Sequence, residues 1–203
     1  MKKLIAIMVV FFFAGTSFAQ NIAGSAHDFS TENWNNTGEI CVTCHTPHQA
    51  DISVSDAPLW NHEVTTATFT PYTSGTLDAT VAQPNGSSKL CLSCHDGTVA
   101  VDNFGGRTNG NEFVTGDHKI GTDLRNDHPV SFIYDASLAT TDDGLFNPTT
   151  TNSGLGSTIK ADMLISDKLQ CASCHDVHNG SGVADLLVKS NAASALCLTC
   201  HNK

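Results

Sequence analysis

Four cysteine pairs carry the most specific chemistry in this chain. Cys41–Cys44, Cys91–Cys94, Cys171–Cys174 and Cys197–Cys200 each enclose two residues, and a histidine follows each pair at His45, His95, His175 and His201. These pairs use all eight cysteines of the chain. Two thiols at this spacing reach the two vinyl groups on one edge of a porphyrin. The next residue then lies under the ring, with its imidazole on the iron. The expectation is four covalently bound c-type haems, with those four histidines as proximal iron ligands. Structural zinc also uses such pairs, but it does not require a histidine after every one. A disulfide scaffold is the other use of eight cysteines in an exported chain. At about 1 in 20 per position, a histidine after all four pairs arises by composition alone roughly once in 10^5.

Six further histidines are available for the opposite face of each iron: His27, His48, His62, His118, His128 and His178. Beyond the leader the chain keeps a single methionine, Met163. At most one iron can therefore pair histidine with methionine, and bis-histidine ligation is expected throughout. Such ligation closes the iron to small molecules and favours a lower potential than methionine does. An internal duplication orders the candidates. HDFS (27–30), CVTCHTPH (41–48) and KLCLSCHDG (89–97) in one half answer to DHPVSF (127–132), CASCHDVH (171–178) and ALCLTCHNK (195–203) in the other. His27 matches His128, and His48 matches His178. These four are the expected distal ligands, with His62 and His118 as alternatives. His48 and His178 each lie three residues past a proximal ligand, too close to wrap the edge of their own ring. Their reach is to the iron of a neighbouring haem.

The elements that must position these groups are sparse. Residues 1–19 read as a secretory signal: two lysines, an apolar run, and small residues at Ser17 and Ala19. A membrane anchor is the alternative, disfavoured by the short run. The remaining 20–203 form the expected cytochrome domain, with approximate halves 20–101 and 127–203 joined by a Gly/Asn-rich segment. Removal of Lys2 and Lys3 takes the net charge from -10 to about -12, and no basic patch serves a nucleic-acid phosphate backbone. Four of the ten phenylalanines lie in the leader, so core material is scarce and the porphyrins themselves are expected to supply it. The fold class expected is a multihaem cytochrome c, with irregular loops and short helices wrapped around four haems. A helix is expected from about Thr158 into the third motif, a helical turn at 193–201 and a short strand at 130–135. Loops are expected at 102–126 and 137–156.

With CVTCHTPH, KLCLSCHDGTVAV, LRNDHPVSF and CASCHDVH in view, the chain resembles multihaem c-type cytochromes with doubled CxxCH motifs. More narrowly it looks like the tetrahaem extracellular cytochromes of metal-reducing bacteria that polymerise into filaments. That resemblance implies a homopolymer in which one distal ligand crosses from an adjacent subunit, with His27 on its terminal arm the first choice. It implies secretion to the cell surface, and other cytochromes or extracellular acceptors as redox partners. The expected role is electron transfer without catalysis. A soluble periplasmic shuttle, a haem reductase with one open iron, and a module using haem only as a structural staple are the alternatives.

Overall fold

Helix formation begins where the second cysteine pair stands. Asn85 is extended, and Gly86–His95 (α1) then carries Cys91, Cys94 and His95, burying Leu90 and Leu92. Gly97, in the left-handed region at φ 72°, ends it, with its amide on the Cys94 carbonyl. The computed structural model describes residues 21–203; the expected leader lies outside the described residues. Among the described residues the other helices are Ala136–Thr141 (α2), Ile159–Met163 (α3) and Cys197–Cys200 (α4). Single 3-10 turns occur at Gly116–His118, Cys171–Ser173, Ala184–Leu186 and Ala192–Ser194. The rest of the described chain is turns, bends and isolated bridges, as expected for loops around a cofactor.

Three details differ from expectation. The helix expected from Thr158 into the third motif stops at Met163. Thr158 caps its start by accepting from the Ala161 amide. Beyond its end, Ser166 and Asp167 take left-handed backbone and fold Ile165 onto Lys168. Lys168–Leu169 (β2) is thereby delivered to an antiparallel pairing with Phe132–Ile133 (β1), Phe132 opposite Leu169. This pairing is also all that remains of the strand expected at 130–135. The third difference is α2, at the start of a stretch read as loop. The Asp135 carboxylate accepts from the Leu138 amide and nucleates it.

Among the described residues apolar burial is split among three clusters, two with cysteines in contact and the third on Leu92, between the cysteines of the second pair. Phe132, Tyr134, Ile159, Met163, Leu169 and Leu196 gather around Cys200 with Cys174 against them. Val54, Trp60 and Leu90 pack on Cys44. Phe69 and Leu124 meet Leu92 of α1. The halves are joined by a buried polar knot. Gln170, 2 % exposed, accepts through Oε1 from the hydroxyls of Ser88 (2.5 Å) and Ser131 (2.9 Å). The Ser88 oxygen in turn accepts from the Cys171 amide at 2.9 Å.

Candidate haem-binding site

The first cysteine pair of each half stands outside the α-helices and is held by a remote segment. Around His45, Nδ1 donates to the Pro58 carbonyl (2.6 Å), the Thr46 amide to the Leu59 carbonyl (2.9 Å), and the Asn61 amide to the Cys44 carbonyl (3.0 Å). Around His175, Nδ1 donates to the Asp185 carbonyl (2.9 Å), the Asp176 amide to the Leu186 carbonyl (2.6 Å), and the Val188 amide to the Cys174 carbonyl (2.9 Å). The two clamps match bond for bond, so the sequence duplication is also a structural one. Within each motif the histidine amide closes a turn onto the first cysteine carbonyl.

The second pair of each half stands on a helix. His95 ends α1; its Nδ1 donates to the His118 carbonyl (2.7 Å), and its own carbonyl accepts from the Ile120 (2.8 Å) and Gly121 (3.2 Å) amides. His201 follows α4 and bridges Leu145, with the Phe146 amide on the Cys200 carbonyl. In His45, His95 and His175 the carbonyl bond fixes the proton on Nδ1 and leaves Nε2 as a lone-pair donor, the arrangement of a metal-bound imidazole. These clamping segments were not read from the sequence. The one signal for them is APLW at 57–60 against ADLL at 184–187, each downstream of a first motif.

Three of the proximal histidines face a second imidazole. His45 lies 6.1 Å from His178 between ring centres, His95 lies 6.1 Å from His27, and His201 lies 6.2 Å from His128. Two imidazoles on opposite sides of one metal, with bonds of ~2 Å, place their centres ~6 Å apart. His27 is kept neutral: burial first, then His95, His175 and His178, lower it to about 4. Its Nδ1 is buried with no hydrogen-bond partner among the described residues. His201 is lowered by burial and then by His128. Neutral rings are what ligation requires. The eight cysteines are all free thiols. Burial pushes the Cys44 thiol up to about 11 and the Cys94 thiol up to about 12. Ile120, Val177 and Leu198 are large apolar side chains left exposed in the clamps and motifs, suited to cover an apolar ring. The residues fit covalently attached haem.

Residues 165–203 match the family described as the doubled CXXCH motif. That stretch contains the third and fourth cysteine pairs. The match supports a multihaem c-type cytochrome with covalently bound haem, and points to haem-binding electron transfer. No curated protein matches the chain. Among the described residues no helix is long and apolar enough to cross a membrane.

The remaining candidates separate clearly. His62 is buried; its Nδ1 lies 2.8 Å from the Glu63 carbonyl and its Nε2 2.9 Å from the Ala100 carbonyl, against the Cys94 sulfur. Both nitrogens face protein oxygens, and burial lowers its pKa. His118 contributes its carbonyl to His95 while its ring is exposed. His48 and His175 are both exposed, and neither is among the facing pairs. His27, the expected crossing ligand, instead faces His95 of its own chain.

The thiols also lie in sequence. Cys44 packs on the cluster that holds Leu90 of α1. Cys91 is held well above the ordinary thiol range by its interaction with Cys171, then by burial. Cys174 and Cys200 share one apolar cluster. The attachment sites therefore follow one another in chain order.

Proposed function

We propose that this chain conducts electrons through four c-type haems as the subunit of an extracellular cytochrome filament. Haem supplies the reversible one-electron couple of its iron. The protein supplies the rest. Eight thiols anchor the rings, clamped proximal imidazoles fix their orientation, and His178, His27 and His128 close the irons of the first, second and fourth sites. The reading is carried by the three imidazole pairs at 6.1–6.2 Å, which leave those irons no position for a substrate. The packing of Cys44 with Leu90 of α1, the Ser88–Cys171 hydrogen bond and the cluster shared by Cys174 and Cys200 favour a linear relay in the order first, second, third, fourth.

The filament part rests on His48 and His175. An iron on His175 needs a second ligand, and His48 is the exposed imidazole without an assigned role. In this reading His48 of one chain closes the third site of the next, so that the first site of one subunit abuts the third and fourth of its neighbour. Export to the cell surface and transfer to other cytochromes or external acceptors follow from it.

The test is His48→Ala, examined by electron microscopy and by the spectra of the reduced protein with carbon monoxide. Filaments in the native protein, with short particles and one carbon-monoxide-binding iron in the variant, support the reading. Monomeric native protein with four six-coordinate irons makes it a soluble carrier. Rapid carbon monoxide binding by the native protein makes it a reductase.

A further inference from the structure

The two matching clamps share a feature that anchoring alone does not require. In each, the residue after the accepting carbonyl is a leucine in the left-handed region: Leu59 at φ 53° and Leu186 at φ 54°. A branched, bulky residue at positive φ is a genuine outlier, and such outliers persist where the surroundings over-determine them. Here the same outlier occurs twice, in equivalent positions of the two halves. Deep packing does not demand the side chain, since Leu59 is 58 % exposed and Leu186 is only half-buried.

The backbone explains the conformation. Two successive carbonyls must meet one attachment site. Pro58 and Asp185 supply the first, to Nδ1 of His45 and His175. Leu59 and Leu186 supply the second, to the amide that follows each histidine. An extended residue sends successive carbonyls to opposite sides of the chain. The left-handed turn keeps both on the motif. A stronger Nδ1–H donation makes the imidazole a better electron donor to its metal, which favours the oxidised iron.

We propose that Leu59 and Leu186 are positioning residues whose left-handed backbone aims a carbonyl at the proximal imidazole and thereby lowers the potential of the first and third haems. This rests on the haem reading above. Alanine and glycine separate backbone from side chain, because both remove the leucine and only glycine adopts positive φ freely. The experiment compares Leu59→Ala with Leu59→Gly, and Leu186→Ala with Leu186→Gly, in the full haem-loaded protein. Haem content is measured first, then the individual midpoints by redox titration followed through the low-spin ferric signals. The expected result is that each alanine variant raises one midpoint and alters one signal, a different one for each position, while each glycine variant retains the native values. Asparagine, which tolerates the left-handed region, rescues in the same way as glycine. Equal shifts in the alanine and glycine variants overturn the proposal, as does an unchanged midpoint in a fully loaded alanine variant. Native protein without haem overturns the haem reading itself, and is recognised before any variant is compared.

Discussion

The first cysteine pair of each half and the second solve one problem in different ways. The pair at 41–45 lies on irregular chain and the pair at 171–175 on a single 3-10 turn, and each relies on a distant segment with a strained leucine to hold its histidine. The pairs at 91–95 and 197–201 lie on or against a helix. Around His95 the turns fall to Gly116 and Gly121, at φ 64° and 82°. A helix orders the motif from within, so a remote clamp can be loose or glycine-built. Without a helix the order is imported, and the chain tolerates backbone strain to import it.

The largest expected effect removes what both kinds of site share. Among the described residues the apolar clusters are separate, two of them built against cysteines and the third on Leu92, between the cysteines of the second pair. Chain produced without haem attachment should show no cooperative unfolding transition by circular dichroism, while the haem-loaded protein should melt sharply. A sharp transition in the haem-free chain would mean that the polypeptide has a sufficient core of its own.

Next comes the knot between the second and third sites. Gln170→Leu leaves the buried Ser88 hydroxyl without its acceptor, at about 1–3 kcal/mol, and leaves Ser131 only its longer bond to the Asn85 carbonyl at 3.3 Å. A loss of about 2–4 kcal/mol in denaturant titration is expected, with Cys91 and Cys171 no longer held together. A loss below about 0.5 kcal/mol would show that the halves are joined by the haems alone.

A smaller difference distinguishes the facing pairs. His45 and His178 are nearly parallel, at 16°, whereas His27 and His95 cross at 61° and His128 and His201 at 71°. Ring orientation sets the splitting of the iron orbitals, so the ferric protein should give at least two classes of low-spin signal. His178→Ala should remove only the class from the parallel pair. The smallest effect isolates the glycine-built clamp. Gly121→Ala meets open space but retains positive φ, so it should cost about 1 kcal/mol through backbone strain and leave the first and third midpoints unmoved.

The cysteine pairs, the duplication and the exclusion of a conventional core were legible because covalent attachment fixes residue types at fixed spacing. The facing of His178 to His45 followed from the short reach between His175 and His178. What stayed hidden depends on backbone carbonyls, which every residue has. Nothing in Pro58, His118 or Asp185 as a residue type announces an acceptor for Nδ1. His62 looked like a ligand by type, but its two neighbouring carbonyls and its burial give it a packing position beside Cys94. The assignment of His27 to a crossing role followed from its place near a terminus, and terminal position says little about contacts. α3 stops early because Leu164 is extended, and Ser166 and Asp167 then turn left-handed, none of which those residue types compel.

Intact-mass spectrometry of the denatured protein, purified from its native source, tests the central claim most directly. The account predicts one species carrying four covalently bound haems, with thioether-linked haem peptides mapping to all four cysteine pairs. A bare polypeptide, with or without disulfides, would contradict it.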